Sequence, residues 1–120
     1  MSKILVVDDD LDILVVMEIL LNMKGYKVEV LSRWEKTYDK INEFHPDLIL
    51  LDVLISGKDG RDLCKEIKAN PSSGNIPIIM FSAHPGAAAT IAEYGADDFI
   101  SKPFDVKDLM TKLTRHLKSD

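Results

Sequence analysis

Three runs of consecutive apolar residues limit what this chain can fold into: Ile4-Leu5-Val6-Val7, Leu48-Ile49-Leu50-Leu51 and Ile78-Ile79-Met80-Phe81. Each is short, bounded by polar or turn residues, and lacks the alternation of a half-exposed strand. Such runs read as strands covered on both faces, which is the habit of a parallel sheet sandwiched between helices. Each run also closes on a polar side chain. Asp8 and Asp9 follow the first, Asp52 the second and Ser82 the third, while Lys102 follows the shorter Phe99-Ile100-Ser101. In an open parallel α/β sheet the carboxyl ends of the strands face one crevice, and ligands bind there. Three carboxylates, a hydroxyl and an ammonium in that crevice point to a cation site and a reacting aspartate.

The remaining pattern alternates with these runs. Strands are expected near 3–8, 27–31, 47–52, 76–82 and 98–101, and helices near 11–24, 34–44, 60–69, 87–94 and 105–118. That is a (βα)5 chain, an α/β three-layer sandwich of flavodoxin-like type with a parallel five-stranded sheet in the order 2-1-3-4-5. The order makes the second and fifth strands the edges. Lys27-Val28-Glu29-Val30 alternates as an edge strand should, and the fifth strand is short. Asp10 and Asp105 stand where helix N-caps belong, and Gly25 suits a left-handed helix end. Pro85 and Gly86 delay the fourth helix, which should be short. The apolar stripe of the first helix is read as Ile13, Val16, Met17 and Leu20, which leaves Leu14, Val15, Ile19 and Met23 on its flanks or outer face.

Composition removes several classes of function. The length of 120 residues suits a single domain over 1–120, and Met1 directly before the first strand suggests a natural start. The net charge of −5, with no basic patch, argues against direct nucleic-acid binding. No apolar run approaches a membrane span or a secretory signal, so a cytoplasmic protein is expected. The lone Cys64 lies on an apolar stripe and reads as a buried hydrophobe. His45, His84 and His116 have no metal-ligand spacing to one another. No G-x-x-x-x-G-K-[ST] loop is present, so nucleotide phosphates lack a cradle.

Asp8, Asp9 and Asp52 would repel one another unless a cation or a proton intervened. A hard divalent ion such as Mg2+ resolves this with one or two carboxylates, a carbonyl and several waters. Lys102 can offset Asp52 in one state and hold a phosphoryl oxygen in another, and Ser82 can donate to the same group. A carboxylate nucleophile, a metal and fixed donors form a minimal phosphoryl-transfer site. The phosphoryl group would come from a small donor or another protein.

The chain resembles the receiver domains of bacterial response regulators over its whole length. The matching segments are Ile4–Asp9, Pro46–Val53, Gly57-Lys58-Asp59-Gly60, Ser82-Ala83, Gly95–Phe99 and Lys102-Pro103-Phe104. The resemblance implies a phosphorelay switch and not an enzyme with a separate substrate. It implies Asp52 as phosphoacceptor, with Mg2+ or Mn2+ held by Asp8, Asp9, Asp52 and the backbone carbonyl of Leu54. Asp9 would touch the ion directly and Asp8 partly through water. It further implies Ser82 as switch hydroxyl, Lys102 as the site lysine before a cis proline, and Phe99 as switch aromatic. The expected partners are a histidine kinase or histidine phosphotransfer protein and a downstream effector or output domain. Phosphorylation is implied to re-weight two packings of the face formed by the fourth helix, fifth strand and fifth helix, and a phosphorylation-linked homodimer is also implied. The competing reading is a phosphorylation-independent interaction module on the same fold.

Several residues depart from the family pattern. Ser56 stands where proline is usual, which suggests a looser loop after Asp52. Phe99 lacks the hydroxyl of the commoner tyrosine. The stretch from Ser82 to Lys102 is about two residues short, and Glu93 is the one charged residue of the fourth helix. That helix should therefore be truncated and mobile. On the first helix, Val15 and Ile19 are candidates for an apolar docking patch toward the phosphodonor. Trp34, where glycine is common, is expected to lie over the edge of the second strand.

Overall fold

The computed structural model describes residues 2–117. Its main sheet contains β1 (Lys3–Val7), β2 (Lys27–Leu31), β3 (Leu48–Asp52), β6 (Ile78–Ser82) and β7 (Asp98–Ser101). All neighbours are parallel, in the order β2-β1-β3-β6-β7. A hairpin of β4 (Leu54–Ile55) and β5 (Lys58–Asp59) lies between β3 and the next helix. Setting the hairpin aside, this is the flavodoxin-like 2-1-3-4-5 order expected from the apolar runs. The helices are α1 (Leu11–Met23), α2 (Thr37–Phe44), α3 (Gly60–Ala69) and α4 (Val106–His116). None of them is long and apolar enough to cross a membrane.

The period of two along a strand divides the core into two halves. Ile4, Val6, Leu48, Leu50, Ile79 and Phe81 pack with Leu14, Met17 and Leu21 of α1 and Leu109 and Leu113 of α4. Leu5, Val7, Ile49, Leu51 and Met80 face the other way, toward Ile41 and Phe44 of α2 and Leu63, Cys64 and Ile67 of α3. Every residue of β3 and β6 is buried, whereas β2 is only partly covered. The caps follow from side-chain chemistry. Asp10 accepts from the backbone of Asp12 and Ile13, and Asp105 from that of Lys107. Gly25 follows α1 with φ 94°, a conformation glycine adopts without steric cost.

The structure corrects four expectations. The buried stripe of α1 is Leu14, Met17 and Leu21, and Val16 points outward. The helix is apolar on nearly every side, so more than one phase satisfies the 3.6 period. The region expected as the fourth helix forms no α-helix. It is two 3-10 turns, Pro85–Ala89 and Ile91–Tyr94, whose amides bond three residues back: Ala87 to His84, Thr90 to Ala87 and Glu93 to Thr90. A 3-10 turn rises about 2.0 Å per residue against 1.5 Å for an α-helix, so a shortened connection covers more distance this way. The helix expected over 34–44 opens with a 3-10 turn, Trp34–Lys36, before α2. The last helix ends at His116, and its expected final residue, Lys118, lies outside the described residues.

The phase of α1 has a measurable consequence. Leu14→Ala should cost about 2–5 kcal/mol in denaturant unfolding, as a buried leucine does. Val16→Ala should stay within about 1 kcal/mol, since an exposed valine leaves no cavity. The opposite ranking would place Val16 in the core.

Candidate phosphoryl-transfer site

The register of the central strands builds the site. Val7 lies beside Leu51, and Asp52 beside Phe81. One step past Val7, Asp8 therefore stands next to Asp52 at the same height on the sheet. Ser82 pairs with Ser101 one step further along, and Lys102 follows at once. Asp8 is fully buried and Asp52 is 8% exposed, while Asp9 is exposed. Oxygens of Asp8, Asp9 and Asp52 all lie within 4.8 Å of one another.

Lys102 holds this cluster together. Its Nζ donates to Asp8 Oδ2 at 2.8 Å and lies 3.3 Å from Asp52 Oδ2. Beneath it, the ring of Phe81 has its centroid 4.7 Å away. The peptide between Lys102 and Pro103 is cis, as the resemblance implies. Burial works against the Lys102 ammonium, but its hydrogen bond to Asp8 and the charge of Asp52 outweigh that and raise its pKa. Asp52 is pushed up from its ordinary 3.8 to about 6, first by burial and then by the charge of Asp8, with Lys102 opposing both. The buried Cys64 thiol is pushed up to about 11 by desolvation, so no thiolate chemistry is available there.

The remaining oxygens are partly engaged. Asp8 Oδ1 accepts from the Asp10 amide at 2.9 Å. Asp9 Oδ2 accepts from the Ser56 amide at 3.0 Å, which ties the first acidic loop to the β4–β5 hairpin. The hairpin turn is Ser56-Gly57, with φ of 44° and 84°. Positive φ at both central residues is the type I′ arrangement that suits two-residue hairpins. Proline, fixed near φ −65°, cannot stand there, so the serine belongs to a closed turn and not to the looser loop expected. Leu54 pairs with Asp59 between the pairs Ile55–Lys58 and Val53–Gly60, and the Gly60 amide donates to the Val53 carbonyl. In an antiparallel ladder the intermediate pair is not hydrogen-bonded, so the Leu54 carbonyl is directed away from β5.

Ser82 is 4% exposed, and its Oγ accepts from the His84 amide at 3.0 Å. Phe99 is half-buried on β7 and packs on the core half that holds α2 and α3. Val15 and Ile19 are 56% and 57% exposed on α1 and lie far along the chain from Asp52. Spaced by four residues with exposed Leu11 and Met23, they form one apolar stripe along the helix. Trp34 is half-buried against the α2–α3 core half, with Lys58 Nζ of the hairpin 4.8 Å from its ring centroid. One contributor went unassigned in the sequence. A Cβ on Gly60 would sit 1.9 Å from the Asp52 carbonyl oxygen, so only glycine lets α3 start directly behind Asp52. Its signal was present in the Gly57-Lys58-Asp59-Gly60 segment.

The ligand atoms that the cluster offers are carboxylate oxygens, which suit a hard divalent cation. A carboxylate with a raised pKa, a lysine at its edge and a hydroxyl on the next strand are parts of a phosphoryl-transfer site. Residues 4–114 match the family model of the response regulator receiver domain. The DNA-binding response regulator MtrA of Mycolicibacterium paratuberculosis is 33% identical over 98% of this chain and 52% of its own length. The chain thus spans about half the length of the curated relatives it matches. A response regulator structure from Chloroflexus aurantiacus superposes with a TM-score of 0.89 at 31% identity, covering 95% of both chains. The receiver domain of NtrX from Brucella abortus gives 0.87 at 32% identity, covering 98% of this chain and 99% of that one. The chain belongs to the response regulator receiver domain family, the phosphorylation-switch component of two-component signalling.

The raised pKa of Asp52 makes stability fall with pH. Its carboxyl is protonated more readily folded than unfolded, so it favours the fold fully below about pH 4 and loses that contribution as pH rises through about 6. In chelator, Asp52→Asn should match the wild type near about pH 4 and exceed it by about 2–3 kcal/mol near pH 7. Thermal unfolding of both proteins across that range measures the difference.

Proposed function

We propose that Asp52 accepts a phosphoryl group from a histidine kinase or a histidine phosphotransfer protein and that the chain, read as one receiver domain over 1–120, works in the cytoplasm as a switch. The observation that carries this reading is the bridge from Lys102 to both Asp8 and Asp52 at the shared end of β1 and β3. An Asp52 oxygen forms the new bond to phosphorus, and the bond from phosphorus to the donor breaks, its electron pair leaving with the donor imidazole. Asp8, Asp9, Asp52 and the Leu54 carbonyl would hold Mg2+ or Mn2+, which supplies positive charge against the phosphoryl oxygens. Asp9 has an oxygen free of the Ser56 amide for direct ligation. Both Asp8 oxygens are engaged by Asp10 and Lys102, which suits a water-mediated role.

Lys102 and Ser82 respond to the new charge. A phosphoryl group adds about −1.5 to −2 and three strong acceptor oxygens. The Lys102 ammonium turns from Asp8 toward them, and the Ser82 hydroxyl gives up its bond from His84 to donate to the same group. Phe99 then repacks in the space beside β6, and the face made by residues 85–94, β7 and α4 changes shape for an effector, an output domain or a second copy of the chain. The domain's own turnover is limited to phosphoryl uptake and hydrolysis of the aspartyl phosphate. The related MtrA proteins are DNA-binding response regulators about twice as long. With a net charge of −5, this segment is proposed to make no direct nucleic-acid contact of its own.

With Mg2+ and acetyl phosphate, intact mass should rise by one phosphoryl group, and Asp52→Asn or removal of the metal should abolish the rise. No rise in the wild type would favour a phosphorylation-independent interaction module. The exposed stripe of Leu11, Val15, Ile19 and Met23 is proposed as the docking surface for the protein donor. Val15→Asp should slow transfer from that donor about tenfold or more and leave uptake from acetyl phosphate unchanged. Equal transfer rates for Val15→Asp and the wild type would remove α1 from the docking surface.

A further inference from the structure

The segment 85–94 is tethered to the rest of the molecule at three levels. At its entrance, the His84 amide donates to Ser82 Oγ. Just past its exit, Lys68 of α3 pairs with Asp97 at 2.7 Å and also donates to the Ile76 carbonyl at 2.8 Å. In the middle stands Arg61, from the first turn of α3. Its Nε and NH2 grip the two oxygens of Asp59 at 3.1 and 2.9 Å. Its NH1 donates to Thr90 Oγ1 at 3.0 Å, and its guanidinium carbon lies 5.4 Å from the ring centroid of Tyr94. Among the described residues, Arg61 is the one side chain from outside the segment that hydrogen-bonds into it.

The positions of the two ends give this contact a direction. Asp59 closes the β4–β5 hairpin and caps α3, so it is joined through that hairpin to Leu54 and to Ser56, the partner of Asp9. Thr90 is the hinge between the two 3-10 turns, and its hydroxyl also donates to the Ala87 carbonyl. A bidentate guanidinium–carboxylate pair fixes the plane of the arginine fork, which leaves NH1 aimed at one place. When Ser82 leaves His84 for a phosphoryl group, the entrance tether is lost, and beside the core packing of Ala87 and Ile91 the Arg61–Thr90 bond is the side-chain hydrogen bond that still resists movement of the segment.

We propose that Arg61 is a positioning residue that clamps Thr90 to the hairpin behind Asp52 and so holds residues 85–94 in the unphosphorylated packing. This inference rests on Asp52 being the phosphoacceptor. A contact made in one of two states favours that state, and its removal favours the other. Arg61 touches none of the acidic residues at the site, so a clamp kept in both states would leave the affinity of the site unchanged.

The test is titration of the full chain with beryllofluoride and Mg2+, a stable stand-in for the phosphoryl group, with binding read from Trp34 fluorescence and from amide exchange at 84–95. Wild type should bind and Asp52→Asn should not. Arg61→Ala and the near-isosteric Thr90→Val should each bind about fivefold more tightly, the loss of one hydrogen bond expressed as a binding ratio. The double variant should bind no more tightly than either single one, because the two changes remove the same contact. Amide exchange at 85–94 should be faster than wild type in both variants before beryllofluoride is added. Wild-type affinity in both single variants would overturn the clamp and leave the phosphoacceptor reading intact. A wild type that binds no beryllofluoride would overturn both.

Discussion

The bond from Lys102 to Asp8 and Asp52 is the interaction on which the architecture of the site depends. Parallel pairing brings the ends of β1 and β3 to the same height, where Asp8 follows β1 and Asp52 closes β3. Two buried carboxylates side by side would repel strongly in a medium of low polarity. The ammonium arrives from the end of β7, two strands from β3 in the order β2-β1-β3-β6-β7, on the residue that follows Ser101. Sheet order is thus a condition of charge balance as well as of core packing. The balance is incomplete, as the raised pKa of Asp52 records. Under the phosphoacceptor reading, that residual imbalance is what makes a metal ion and a phosphoryl group welcome at the site.

Much of this was legible in the amino-acid sequence because it rests on local pattern. Four-residue apolar runs specify doubly covered strands, and the polar residue after each run is delivered to the sheet edge without knowledge of tertiary contacts. Asp8, Asp52, Ser82 and Lys102 could be placed together for that reason. Asp10 and Asp105 as helix caps and Gly25 as a helix end were equally local.

What escaped was set by tertiary geometry. The phase of α1 could not be read because Leu14, Val15, Val16 and Met17 are all apolar, and the sheet, not the pattern, selects the buried side. The β4–β5 hairpin is too short to show a period, and its turn is marked only by Ser56-Gly57. The 3-10 form of 85–94 depends on the span the connection must cover, which no window of sequence contains. Gly60 is required by its distance to the Asp52 carbonyl, a property of packing between β3 and α3. Nothing local in the sequence marks Arg61, because its contacts with Thr90 and Tyr94 exist only in the fold.

The contrast between Gly60 and the outer stripe of α1 bears on how such a domain can diverge. At position 60 there is no room for a single carbon atom, so that site is closed to every other amino acid while Asp52 stays where it is. Positions 11, 15, 19 and 23 support no core contact and can drift through most side chains that tolerate a helix. If the outer stripe of α1 is the docking surface proposed above, a lineage can rewrite whom the domain meets, one surface residue at a time, while the atoms around Asp52 remain frozen. Duplicated copies of such a gene would be expected to part company first on α1 and last behind β3.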